Sequence, residues 1–311
     1  MSDRHVIVGA GPVGAHTARL LAAQGSQVVV VTRSGRSPGI DGVESVALDA
    51  SDPARLSEVA EGATALYNCA NPSAYTNKAW SQIWPPLAAS LLTAAERSGA
   101  VLVVASNLYP YGPVDVPMVE GMPDAATDAK GVIRARMWAE ALRAHEEGRI
   151  KAVEVRASVY VGSGVGAGGH VSRVIPAALE GKPVRMLGDL DQPHSWTDVL
   201  DVARTLIKVA TTESAWGRVW HAPTNAPRTQ REAVGDVLAA AGRPMVKIGS
   251  IPGPVMTIGA AFVPMIKALH DTNYQRTRPY ILDSTAAQTE LSLAPTPWDE
   301  VCTRTAQPSV R

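Results

Sequence analysis

The run Gly9-Ala10-Gly11-Pro12-Val13-Gly14 constrains this chain more than any other feature. It stands between a short β-branched run, Val6 to Val8, and a helical stretch, Val13 to Ala23, that ends at Gly25. A GxGxxG is weak alone. Between a strand and a helix it has the context that a dinucleotide pyrophosphate requires. Gly9 allows the tight turn, Gly11 lets backbone approach the phosphates, and Gly14 lets helix and strand pack closely. Pro12 suits the first helical turn and Val13 follows it, so the unpaired N–H groups of that turn face the anion. An ordinary glycine turn is the alternative, and it has no need of those flanks.

The alternation continues along the chain. Val28 to Val31, Val43 to Leu48, Ala63 to Cys69, Val101 to Ala105 and Lys151 to Val155 read as strands. Helices are expected from Ser51-Asp52-Pro53, over Lys78 to Ser98 with an interruption near Pro85-Pro86, and over Lys130 to Glu147. Apolar strands separated by helices predict an α/β fold, a doubly wound parallel sheet of the Rossmann type covered on both faces. Residues 1–162 are expected to form the dinucleotide-binding domain, completed by about 190–225, where Asp198 to Thr211 reads as a helix. Residues 163–189 and 226–311 are expected to form a smaller, mixed substrate-binding lobe. There Thr229-Gln230-Arg231-Glu232 has the form of a capping box, and the last ten or so residues read as a loose tail.

Which dinucleotide fits is read at the end of the second strand. Thr32-Arg33-Ser34-Gly35-Arg36 carries no acid, and none follows before Asp41. An acid there would bind ribose hydroxyls. Arg33, Ser34 and Arg36 suit a 2′-phosphate instead, so NADP(H) is expected; a solvated basic loop is the plainer alternative. The first residues also resemble the start of FAD monooxygenases, which want an acid near Thr32 and a second flavin motif that this chain lacks. Elsewhere charge is balanced, Lys+Arg 29 against Asp+Glu 29, which argues against a polyanion partner held by bulk charge. The two cysteines, Cys69 and Cys302, imply neither a disulfide framework nor a metal site. With no signal-like or membrane-spanning run, the expected location is cytoplasmic, with no nucleic-acid or membrane partner.

Several spaced segments carry a family resemblance. These are Leu48-Asp49-Ala50-Ser51-Asp52, Asn68-Cys69-Ala70-Asn71, Ser106-Asn107-Leu108-Tyr109-Pro110-Tyr111-Gly112, Val155-Arg156-Ala157-Ser158-Val159-Tyr160-Val161-Gly162, and His194 to Ala203. In their order and spacing the chain resembles the NAD(P)-dependent epimerase/dehydratase family, the extended short-chain dehydrogenases/reductases, to about residue 245. The resemblance implies that Asp49 and Ala50 meet the adenine and that Ala70, Asn71 and Ser106 border the cofactor. Members of that family often dimerise through helices like Lys78 to Ser98, which makes a homodimer an expectation.

The departures matter as much. The family uses Ser/Thr and a Tyr-x-x-x-Lys pair, the Tyr passing the proton and the Lys holding the nicotinamide ribose. Aligned on these motifs, Asn107 takes the Ser/Thr position, Val132 the Tyr position 25 residues on, and Arg136 the Lys position. Moving the helix by two offers Lys130 and Arg134, again without Tyr. Nowhere does this chain place a Lys four residues after a Tyr. Arg136 is thus expected on the ribose, Asn107 as a hydrogen-bond donor to a substrate oxygen, and Tyr109 as a relocated proton donor, with simple packing as its alternative. Lys130 reads as a solvated residue at a helix start. Tyr75 lies on the wrong helix for the pair. Asp198 and Asp201 read as a cap and first-turn acid, and His194 as a surface residue, with contact to cofactor phosphates or substrate as its alternative; the resemblance implies that the mobile loop Gly162 to Gly169 borders the substrate as a lid, with a plain flexible connection as the alternative. Trp80 and Trp84 share a helix face.

Ile248 to Leu269, with Pro252, Pro254 and Pro264, reads as an apolar roof over the substrate pocket rather than a membrane contact. The expected function is an NADP(H)-dependent oxidoreductase acting on a carbonyl or activated C=C of an apolar small molecule, with a non-standard proton donor. The alternatives are a catalytically inactive NADP-binding sensor or scaffold, and an epimerase or isomerase.

Overall fold

A computed structural model describes residues 3–251 and 253–307. The strands are β1 Arg4–Val8, β2 Gln27–Thr32, β3 Val43–Ala47, β4 Ala65–Asn68, β5 Val101–Asn107, β6 Lys151–Ala157, β7 Val159–Val161, β8 Val184–Leu187, β9 Trp196–Asp198, β10 Val219–His221 and β11 Ile248–Ile251. A seven-stranded parallel sheet runs in the order β10-β6-β5-β4-β1-β2-β3, with two parallel pairs, β11-β8 and β7-β9, beside it. The expected doubly wound fold is therefore present. Strand order reverses between β1 and β4, and a crevice at such a reversal is where ligands bind in open α/β sheets.

The helices in chain order are α1 Pro12–Ala23, α2 Pro53–Ala60, α3 Asn77–Ser98, α4 Ala129–Glu146, α5 Ile175–Leu179, α6 Val199–Ala210, α7 Gln230–Ala240, α8 Gly253–Phe262, α9 Pro264–Asp271, α10 Tyr274–Thr277, α11 Thr285–Glu290 and α12 Trp298–Ala306. Strand side chains alternate between two apolar layers, as the pleat requires. Ile7, Val30, Tyr67 and Val103 pack with α1 and α6, whereas Val6, Val29, Leu66 and Leu102 pack with α2, α3 and α4. A third cluster, including Ile175, Val184, Trp196, Val234 and Val301, joins α5, β8, β9, α7 and α12.

Three local expectations change. α3 continues through Pro85 and Pro86. Two N–H groups are lost there, but buried Trp80, Trp84, Leu87 and Leu91 anchor the helix on both sides. The chain end is no loose tail as far as Ala306, because α12 buries Val301, Cys302 and Thr305; residues 308–311 lie outside the described residues. None of the described residues of 248–269 borders the main cavity, so they do not form the expected roof; Pro252 lies outside the described residues. The capping box at Thr229 forms with both of its hydrogen bonds.

Candidate functional site

The C-terminal ends of β1, β2, β4 and β5 open into one cavity of about 830 Å³. The β1–α1 turn forms one end. Gly9 has φ +102°, and a Cβ there would stand 2.8 Å from the Ala70 backbone. A Cβ on Gly14 would collide with the Gly9 carbonyl, while Gly11 faces open space. Gly11 is the N-cap of α1 and no side chain caps that helix, so its first N–H groups remain available to an anion. Pro12 and Val13 line the cavity beside them.

Thr32 and Arg33 stand at the rim where β2 ends, next to Asp49 and Ala50. Asp49 Oδ1 accepts the Ser51 N–H at 3.0 Å. Ser34 and Arg36 are exposed outside the lining, and the Arg36 N–H donates to Ser34 Oγ at 3.3 Å. Of the phosphate trio expected from sequence, only Arg33 borders the cavity. Cys69, Ala70, Asn71 and Ser106 line its middle. Burial pushes the Cys69 thiol up to about 12, which keeps it protonated and inert.

At the far end Asn107 and Tyr109 line the wall. The Tyr109 N–H donates to Asn107 Oδ1 at 3.1 Å. That bond fixes the amide so that Nδ2 is the group left to donate into the cavity. The Tyr109 hydroxyl lies 2.8 Å from the Tyr75 hydroxyl, which also sits 3.2 Å from Thr272 Oγ1. Burial holds the Tyr75 phenol well above its ordinary range, so it is protonated at neutral pH. Tyr75, on the wrong helix for a Tyr-x-x-x-Lys pair, thus meets Tyr109 across 34 positions that no sequence signal joins. Tyr160 is also on the wall, its phenol pushed up to about 12 by burial.

The structure corrects the register read for α4. Arg136 is exposed and paired with Glu140 at 2.8 Å, away from the cavity. The helix turns about 100° per residue, so two positions earlier is the opposite side. Lys130, Arg134, Trp138 and Ala141 form the buried face, and of these Arg134 lines the cavity. The Arg134 guanidinium carbon lies 3.9 Å from the Trp84 ring centroid, and its Nε and Nη1 have no partner among the described residues. Burial draws it down to about 10, still a cation at pH 7. Lys130 is not solvated. Its Nζ donates to Asn77 Oδ1 at 2.7 Å and sits 4.2 Å from the Tyr75 ring centroid, and burial lowers it to about 8. Val132, the aligned counterpart of the missing Tyr, is exposed.

The neighbouring features resolve as structure. Asp198 caps α6 through the Leu200 N–H and pairs with Arg304; Asp201 accepts from the Thr296 N–H and hydroxyl. His194 is buried rather than on the surface, stacked 4.3 Å from Trp196, with Nδ1 donating to the Ser195 carbonyl at 2.7 Å. Tyr111 is buried and donates to His221 Nε2 at 2.8 Å. Trp80 and Trp84 are core residues, though Trp80 also lines the cavity. Gly168 and Gly169 border it from the glycine-rich loop.

Solved structures share this architecture. MoeE5 in complex with UDP-glucose and NAD matches at TM-score 0.79 and 22% identity, over 98% of this chain and 97% of that one. The dTDP-glucose 4,6-dehydratase of Bacillus anthracis, in complex with NAD, matches at 0.80 and 17%, over 98% and 96%. The UDP-glucuronic acid 4-epimerase of Bacillus cereus, also with NAD, matches at 0.79 and 16%, over 97% and 96%. At these identities the likeness is one of fold. No curated protein sequence matches the chain. The model of the NAD dependent epimerase/dehydratase family matches residues 5–221, well over half the chain, and the protein belongs to that family.

Proposed function

We propose that the protein is an NADP(H)-dependent oxidoreductase of this family, acting on a carbonyl or activated C=C of an apolar small molecule. The observation that carries the reading is the continuity of one cavity from the Gly9–Gly14 turn to Asn107, Tyr109 and Arg134. The glycine cradle fits a pyrophosphate, since Cβ atoms at Gly9 and Gly14 have no room and Gly11 stands open. The family match and the NAD named with the similar structures support a nicotinamide dinucleotide. Arg33 at the end of β2, where an acid would hold a 2′-hydroxyl, favours the phosphorylated form.

When bound, the nicotinamide supplies hydride. The rest falls to side chains. Arg134, which lines the cavity, holds the nicotinamide ribose hydroxyls through its guanidinium. Asn107 Nδ2 donates to the substrate oxygen and steadies the charge that grows there. Tyr109 gives that oxygen its proton and regains one from solvent as the product leaves; the Tyr75 hydroxyl, 2.8 Å behind it, stays protonated and can donate a hydrogen bond to the Tyr109 phenolate in between. Trp80, Ile83, Pro86, Leu87 and Leu108 make the wall around the reacting end apolar, which suits an uncharged substrate and excludes water. The test follows NADPH oxidation over a panel of apolar ketones and enones. Turnover with NADPH well above NADH supports the reading, and tight NADPH binding with no turnover on any member favours a sensor. The similar 4-epimerases support a second reading, an epimerase that keeps its cofactor through the cycle. Racemisation at a carbinol carbon without net NADPH consumption would identify it.

A further inference from the structure

Aromatic side chains are scarce in this chain, at 5% of residues, yet Tyr75, Trp80, Tyr109, Tyr160 and Tyr280 all line the main cavity. Three of these rings form one block. Trp80 is buried. Tyr109 stacks on it with ring centroids 6.0 Å apart and planes 23° from parallel, and Tyr75 meets it edge-on at 5.8 Å and 81°. The hydroxyls of Tyr75 and Tyr109 are tied at 2.8 Å. Tyr75, Tyr109 and Tyr160 are only half-buried, so ring surface stays open where they border the cavity. Among the described residues, the charged groups of the lining are Arg33 and Asp49, at the rim where β2 ends, and Arg134. The block therefore offers a ligand flat, rigid and uncharged walls.

Ring walls distinguish ligands that apolar area alone does not. An aromatic face carries negative and an aromatic edge positive partial charge, so a ring gains from offset or edge-on contact with another ring beyond the burial of its area. A saturated ring of the same outline gains only the burial. The wall is also joined to the group that meets the substrate oxygen, because the Tyr109 N–H donates to Asn107 Oδ1 at 3.1 Å. A flat molecule whose carbonyl is conjugated with its ring can meet both at once. We propose that the substrate carries an aromatic ring conjugated with the reacting carbonyl, and that this ring lies against the Tyr75–Tyr109 wall. The inference rests on the oxidoreductase reading above for the reaction and adds to it the class of substrate.

The test is calorimetric titration of the full chain, with and without NADP+, using acetylnaphthalene and its saturated counterpart acetyldecalin. The saturated ketone has the greater apolar surface, so burial alone favours it. The expected result is the reverse, with the aryl ketone bound about ten-fold more tightly, the yield of two ring–ring contacts. Tyr109→Phe should keep that preference, since the ring remains, and Tyr109→Leu should cut it to about three-fold. Tyr160→Leu serves as a second ring deletion should Tyr109→Leu fail to fold, which thermal melts of each variant read. Equal or tighter binding of the saturated ketone overturns the proposal, as does binding of neither ketone. A preference that survives every ring deletion overturns it too. None of these readings needs turnover. Aryl ketones that bind with preference but are never reduced would instead sink the oxidoreductase reading, while the ring preference itself would stand.

Discussion

Replacing Arg134 by Met separates a ligand-holding cation from a structural one. The guanidinium is almost fully buried, two of its nitrogens lack partners, and burial draws it from 12.5 to about 10. Holding the charge there costs the apo protein about 3 kcal/mol. Its stacking on Trp84 and Trp80 returns about 1–2 kcal/mol. Met fills similar volume without a charge, so the apo Arg134→Met protein should gain about 1–2 kcal/mol. Its melting midpoint should rise by about 1.5–3 °C. With NADPH the order should reverse. Losing a charge-assisted hydrogen bond to the ribose removes about 1.5–3 kcal/mol of binding, or roughly 10- to 150-fold in Kd. The assay is paired thermal melts with and without saturating NADPH, together with a fluorescence titration. A variant that melts lower than the parent while binding NADPH as well as before would refute the reasoning and make Arg134 a structural cation.

Further outcomes follow from the same geometry. Arg33→Ala should weaken NADPH by roughly 10- to 100-fold with little change for NADH, whereas Arg36→Ala should do little; equal losses for both cofactors at Arg33 would remove the 2′-phosphate assignment. Arg136→Ala should leave NADPH affinity unchanged and stability within about 1 kcal/mol, because its pair with Glu140 is exposed. Tyr109→Phe should lower kcat by about 10²- to 10⁴-fold with KM nearly constant, and Tyr75→Phe by less; a loss confined to KM would argue for packing instead. Acid should weaken the fold below pH 6.5. Burial depresses His194 and His221 to about 4, and each donates Nδ1–H to a backbone carbonyl. Between those values the unfolded chain takes up protons that the folded chain refuses, so stability is full above 6.5 and falls by about 2 kcal/mol per histidine at pH 5. Asp198, Asp201 and Glu120 are shifted upward by burial and act in the opposite sense. Urea melts between pH 7 and 5.5 read the histidines most cleanly, and a flat profile there would contradict their buried, neutral state.

How far the chain could be read depended on the range of the forces involved. Val28 to Val31 and Val101 to Ala105 declare themselves because buried parallel strands are apolar on both faces, and the GxGxxG because its glycines answer to backbone geometry. The register of α4 was harder. Counting 25 residues from Asn107 crosses a loop whose path sequence does not fix, and it landed on Val132 and Arg136. The signal lay on the helix itself. Asp128 caps it, and the spacing of Arg134, Trp138 and Ala141 marks one inward stripe. Pairing Tyr75 with Tyr109 needed tertiary structure, since nothing local links the loop after β4 to the turn after β5. The apolar stretch near residue 260 was legible as apolar, but not as outward-facing. Hydrophobicity alone does not say which side of a lobe a hairpin occupies.

The most direct measurement of the central claim is a crystal structure of the protein with NADP+. The account predicts pyrophosphate on the first turn of α1, the 2′-phosphate on Arg33, the ribose hydroxyls within hydrogen-bond distance of Arg134, and the nicotinamide facing Asn107 and Tyr109 with room for a substrate. A nicotinamide face plugged by protein side chains, or a ribose held by Arg136 instead of Arg134, would contradict it.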